Sequence, residues 1–219
     1  AYDAVVDAGL KEPILYPLDL EGATPENYQE LQDNLLNQFG RLDGLVHNAS
    51  ILGTQMPIEQ YDIKLWYSTL QINLSAPFML TQFLIPALLK SDDARVIFMS
   101  STVGREARAY WGAYSVSKFG IEGFAKTLSE ELEKTKISVN TVNPGKMRTE
   151  MRRAAYPAED SSTVPLPEGQ LFYYANNDFN AKCCATSNVS GGNGCACITK
   201  EQQCYLNSRG GNRTSDSEY

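Results

Sequence analysis

Over the first 150 residues, short apolar runs alternate with stretches whose apolar positions recur at helical spacing. The runs at 14–18, 44–47, 95–100 and 138–142 have the length and composition of buried strands. Between the first two, Tyr28, Leu31, Leu35 and Phe39 follow a helical period. That segment also carries its own punctuation, with Thr24 as N-cap, Pro25 at the first helical position and Gly40 just past the end. A second helix over about 64–90 must accommodate Pro77 and Pro86, which predicts kinks. A third starts near Ala113 and runs past Leu132. Strands alternating with helices predict βαβ units, and therefore an α/β fold on a mostly parallel, doubly wound sheet.

After Tyr156 the periodicity stops. Pro157, Pro165, Pro167 and Gly169 punctuate a stretch without a helical or strand pattern. From Gln170 the chain turns rich in Asn, Ser, Gly and Cys, and all five cysteines lie between Cys183 and Cys204. Such a composition buries little apolar surface and is expected to be poorly ordered. The sequence thus divides into a segment 1–169 and a tail 170–219. The cysteines form no Cys-x-x-Cys pair and have no histidine near them, so no metal site is expected. A disulfide-bearing or redox tail remains the weaker alternative reading.

Composition narrows the function by exclusion. A net charge of −7 with scattered Lys and Arg leaves no basic stripe for phosphates or an anionic membrane, so nucleic-acid and membrane partners are not expected. The longest apolar stretch, 78–89, is broken by Thr81, Gln82 and Pro86 and is too short to span a bilayer. Residues 1–7 hold two acidic side chains and no cationic start, unlike a secretory signal. A cytoplasmic location is the natural expectation.

The chemistry-bearing residues cluster in the second half of the segment. Tyr114 and Lys118 are four residues apart on the third helix and so share a face. Two such groups about 5 Å apart at an effective dielectric near 20 interact by roughly 3 kcal/mol, which would bring a phenol from about 10 to about 8. A phenol in that range can exchange a proton with a carbonyl or hydroxyl oxygen near neutral pH. Taken alone, the pair equally fits an aromatic residue beside a solvated lysine. Ser101, thirteen residues before Tyr114, follows the run Val96 to Met99 and would stand at the carboxyl end of a strand, where open α/β sheets bind ligands. By itself it also fits a serine-rich turn.

These residues belong to an ordered series: Asp43 to Leu45 leading into His47, Asn48, Ala49 and Ser50; Asn73; Ser100 and Ser101; Tyr114 to Lys118; then Asn143, Pro144 and Gly145 with Thr149 downstream. In this series the chain resembles the classical short-chain dehydrogenase/reductase family over most of residues 1–169. The resemblance implies a Rossmann-like sheet and an NAD(P)-dependent oxidoreductase moving a hydride between NAD or NADP and a small-molecule carbonyl or alcohol. It implies that Tyr114 donates or accepts the proton, Ser101 hydrogen-bonds the substrate oxygen, Lys118 lowers the tyrosine pKa and holds the nicotinamide ribose, and Asn73 anchors a water of a proton relay. Asp19 matches an adenine-contacting acid, Asn48 with Ala49 the loop passing the adenosine ribose, and Pro144, Gly145 and Thr149 the segment meeting the carboxamide. Asp19 also reads as a turn cap, and Asn73 as an ordinary polar position of an amphipathic helix. His47 replaces the family's usual Asn, and Ser50 its usual Gly.

The resemblance fades at both ends. No glycine-rich turn between a strand and a helix, which would receive the cofactor pyrophosphate, is found in residues 1–18. Gly191 to Gly194 does not substitute for it, having no apolar strand before it and no amphipathic helix after it. The sheet is therefore expected to be incomplete, with 14–18 lacking a neighbour. Family members commonly associate through the helices here at 64–90 and 113–134, which implies a homo-oligomer. It also leaves open a second reading, a non-enzymatic dimerisation module. The residues that choose between NAD and NADP, and the substrate itself, are not legible.

Overall fold

A computed structural model of the chain describes residues 12–160, together with 6, 7, 9, 179–180, 182, 190–191 and 194–196. Helix α1 covers Pro25–Phe39, and its ends are those the sequence marks. Asn27 Oδ1 accepts from the Thr24 amide at 2.9 Å, and Gly40 takes a left-handed φ of 78° while its amide closes on Leu36. Strand β1 follows at Gly44–His47. Helices α2 (Ile63–Leu70) and α3 (Ala76–Leu88) are continuous through a wider π turn at Gln71–Ser75. Strand β2 is Ala94–Met99, helix α4 Gly112–Glu131, strand β3 Ile137–Val142 and helix α5 Glu150–Ala155.

The three strands form one parallel sheet in the order β1-β2-β3, with Val46 opposite Ile97 and Ile97 opposite Asn140. Its core joins Val96 and Phe98 of β2 and Ile137 of β3 to Leu88 of α3 and to Ile121, Ala125 and Leu128 of α4. This is the expected α/β, Rossmann-like architecture. Because all three strands run the same way, the loops after β1, β2 and β3 gather along one edge of the sheet.

Residues 14–18 were expected as a strand and are not one. No described strand lies beside them, and Ile14 and Leu15 are 61% and 70% exposed, so the run is apolar without a ladder or a core to enter. Helix α5 was not expected at all. Its signal is Thr149, whose hydroxyl accepts from the Arg152 amide at 3.1 Å and starts the helix.

Within the tail, Phe179–Asn180, Gly194–Ala196 and Ser190–Gly191 form a small antiparallel sheet in that order. The order expected of 170–219 and the pairing of its cysteines otherwise lie outside the described residues. Among the described residues no cluster could hold a metal ion, and no helix is long and apolar enough to cross a membrane.

Candidate active site

Each loop at the carboxyl edge of the sheet contributes expected site residues. Asn48 and Ala49 leave β1 exposed, Ser101 leaves β2 in an extended conformation, and Pro144, Gly145 and Thr149 follow β3. Gly145 has φ 70°, a left-handed turn that suits glycine, and its amide donates to Asn143 Oδ1 at 3.1 Å. Asn143 in turn reaches Thr102 beside Ser101 at 3.3 Å, tying the β3 loop to the β2 loop.

Helix α4 brings Tyr114 and Lys118 to the same place. Both are buried, and the Ser101 hydroxyl lies close enough to the Tyr114 phenol to lower its pKa. The Lys118 ammonium lies 5.5 Å from the centre of the Tyr114 ring and donates to the Met99 carbonyl at 2.8 Å. The sequence argument placed the ammonium against the phenolic oxygen and brought the phenol down. In the structure burial acts first and holds Tyr114 above its ordinary 10, with the Ser101 hydroxyl pulling the other way. Burial also drops Lys118 to about 8. Close contact keeps the assembly in register: a Cβ on Gly104 would stand 2.9 Å from the Lys118 backbone, and Ser115 Oγ donates to the Val103 carbonyl at 2.6 Å.

Asn73 sits in the π turn and is 2% exposed. Its Oδ1 accepts from the Ile51 amide, and its Nδ2 donates to the Ile51 carbonyl and to Ser117, at 2.8, 2.8 and 3.2 Å. It therefore fastens the loop after β1 to α4. Both amide protons are engaged, and Oδ1 keeps one lone pair for a further donor. The turn has a local cause. An α-helix would direct the amide of residue 77 to the Asn73 carbonyl, but residue 77 is a proline, which lacks that donor and crowds the carbonyl four residues back. Widening the turn resolves the conflict, and Ala76 donates to Gln71 instead.

The expected cofactor residue Asp19 and the motif position His47 stand apart from this cluster. Asp19 is exposed and caps its own turn, accepting from the Glu21 amide at 3.0 Å. His47 is buried, stacked on Phe98 at 4.6 Å, with Nε2 2.8 Å from Thr81 Oγ1. Thr81 gives its only proton to the Pro77 carbonyl, so Nε2 carries the hydrogen of that contact. Burial lowers the His47 pKa to about 4.

Several neighbours were not singled out from sequence. Glu122 lies one turn beyond Lys118 on α4 and holds Arg105 of the β2 loop at 2.9 Å, while Thr141 of β3 donates to its other oxygen at 3.1 Å. Burial pushes Glu122 up, and the donors around it outweigh burial and leave it below the usual range. Its helical spacing from Tyr114 and Lys118 was the available signal. Leu52, Val103, Trp111, Met151 and Tyr156 pack around Tyr114 and supply an apolar wall drawn from all three loops. A separate open hollow of about 590 Å³, lined by Glu21, Lys64, Tyr67 and Gln71, contains none of the expected site residues.

The family model described as short chain dehydrogenase matches residues 7–160. This chain belongs to the short-chain dehydrogenase family. It is 43% identical over 157 residues to YciK of Escherichia coli K12, an uncharacterized oxidoreductase, covering 72% of this chain and 62% of YciK. The chain thus spans less than two thirds of that relative's length. It is similar to the crystal structure of a short chain dehydrogenase from Salmonella enterica serovar Typhi CT18, with TM-score 0.76, 39% identity and coverage of 79% and 72% of the two chains. A chain from Escherichia coli CFT073, complexed with NADPH, matches with TM-score 0.74, 40% identity and coverage of 78% and 72%.

Proposed function

We propose that residues 1–169 form the catalytic segment of an NAD(P)-dependent oxidoreductase acting on a small-molecule carbonyl or alcohol, with 170–219 as a separate segment. The observation that carries this reading is the convergence of Ser101, Tyr114 and Lys118 at the carboxyl end of β2, with the phenol and the ammonium both buried.

The described residues fit such a cofactor, the loop after β1 on its adenosine side and the loop after β3 on its nicotinamide side. Ser50 has a buried hydroxyl without a partner beside the exposed Asn48 and Ala49, and Gly145 opens the β3 loop through its left-handed turn. Asn48, Ala49, Tyr114, Lys118, Pro144, Gly145 and Thr149 would hold it, with Asp19 further out. The bound cofactor supplies or accepts the hydride at the substrate carbon. Ser101 directs its hydroxyl at the substrate oxygen, and Tyr114 passes its proton there as negative charge develops. A phenol held above 10 is protonated at neutral pH, so the site is poised for carbonyl reduction. Lys118 offers the protons it does not give to Met99, and Asn73 fixes the β1 loop and offers its remaining lone pair to a relay water. The reading extends to a homo-oligomer, which the family resemblance implies, in the cytoplasm, which the charge and hydropathy of the sequence suggest.

The test is a titration of the full chain with NADH and NADPH, followed by turnover on a carbonyl panel. Tyr114→Phe should retain cofactor binding and lose at least about 100-fold in turnover. Undiminished turnover in that variant would remove Tyr114 from the reaction.

A further inference from the structure

The wall around Tyr114 carries a charge that the oxidoreductase chemistry does not use. Trp111 lies 5.8 Å from Tyr114 and 5.8 Å from Tyr156, ring to ring. Two guanidinium groups border these rings. Arg152 lies 3.9 Å over the Tyr156 ring, and its Nε and Nη2 meet the two Glu159 oxygens at 2.7 Å each, so its charge is compensated. Arg108 lies 6.0 Å over the Trp111 ring, and its Nη1 donates to the Tyr156 hydroxyl at 2.5 Å. A phenol is neutral, and among the described residues no carboxylate pairs with Arg108. The phenol nevertheless orients the guanidinium, and having accepted from Arg108 it keeps its own O–H to donate.

The backbone supports the same placement. Tyr110, between Arg108 and Trp111, is the only non-glycine among the described residues with a positive φ, 71°. A conformation of that kind persists where surrounding contacts impose it. Here it sets Arg108 and Trp111 on the same side of a short loop. The outcome is a sequence of surfaces: proton donor, aromatic plate, then an oriented guanidinium beside a hydroxyl.

We propose that Arg108 and Tyr156 form an anion subsite that selects substrates carrying a carboxylate at the far end of an aromatic or apolar body from the reacting carbonyl or alcohol. The planar guanidinium presents parallel N–H donors to a carboxylate, and the Tyr156 O–H adds a third. Trp111 and the apolar side chains packed with it border the body between the two ends. The inference rests on the reading of Tyr114 as the reacting end, and its test is built on binding so that the two can fail separately.

The probes are 4-acetylbenzoate and its methyl ester, which share a ring and a ketone and differ in the charge at the far end. Ligand-observed NMR titrations of the full chain at low salt should show the acid binding about fivefold more tightly, the scale of a largely solvent-exposed ion pair. The preference should shrink at high salt. Arg108→Gln should bring the acid-to-ester ratio to one, Arg108→Lys should keep part of the preference, and Tyr156→Phe should fall between. Equal binding of acid and ester to the native chain, or a preference that survives Arg108→Gln, would overturn the subsite. Since no hydride is transferred in the titration, a chain without turnover would count against the oxidoreductase reading and leave the subsite measurable.

Discussion

Lys118 is held where an ammonium is costly. Burial takes it from 10.5 to about 8, equivalent to roughly 3 kcal/mol against the folded protein wherever both states are protonated. Below pH 8 the penalty is complete, and it is relieved as pH rises from 8 toward 10.5. Lys118→Met removes it, at the expense of leaving the Met99 carbonyl without its donor. We expect that variant to be at least as stable as the native chain in thermal melts at pH 7 while losing turnover. A large drop in stability would mean that the lysine is a structural element first. His47 gives the opposite side of the same argument. With a folded pKa near 4 against 6.5 unfolded, the unfolded chain takes up the proton first, so stability falls as pH drops from 6.5 to 4. Chemical denaturation across that window should show the native chain losing roughly 3 kcal/mol relative to His47→Asn. A pH-independent difference between the two would contradict the buried neutral imidazole.

The π turn between α2 and α3 is the local element on which the site depends most. Its two causes are four residues apart, Asn73 bonding sideways to Ile51 and Pro77 refusing the helical bond. Asn73→Ala leaves the partly buried Ile51 amide and carbonyl unpaired, which should cost about 2 kcal/mol in denaturant titrations. It should also loosen the loop bearing Asn48 and Ala49. Loss below about 1 kcal/mol would show that the loop holds itself. The strands 44–47, 95–100 and 138–142 were legible because each pairs within the described sheet and each apolar run has a core to enter. The run 14–18 is equally apolar but holds Pro17, which cannot donate to a ladder, and it finds no pairing among the described strands. Tyr114, Lys118 and Ser101 were legible from spacing, while the direction of the Tyr114 shift was not, since spacing gives the distance to Lys118 but not the depth of burial. Arg108 and Trp111 of the loop after β2 meet Tyr156 of the segment after β3, and only the folded sheet brings those two segments to one edge.

At the scale of the molecule, α2, α3 and α4 leave an apolar surface that the described fold does not cover. Ile63 and Tyr67 on α2, Phe78 on α3, and Val116 and Phe119 on α4 are all exposed, Tyr67 at 67%. Side chains of this size stabilise by about 1.5–3 kcal/mol each when fully buried, and contiguous exposed apolar patches mark interaction sites. Helices that already pack against one another on one molecule offer a surface that a second copy can match through a two-fold axis, so every contact occurs twice. We expect sedimentation velocity to find the chain as a homodimer at micromolar concentration. Phe119→Glu introduces an unpaired carboxylate once per copy, at roughly 3 kcal/mol each when buried, and should raise the dimer Kd by at least about 1,000-fold. The substituted side chain points outward, so the monomer should melt close to the native temperature. A native chain that sediments as a monomer throughout, or a Phe119→Glu variant that still dimerises, would place the contact elsewhere.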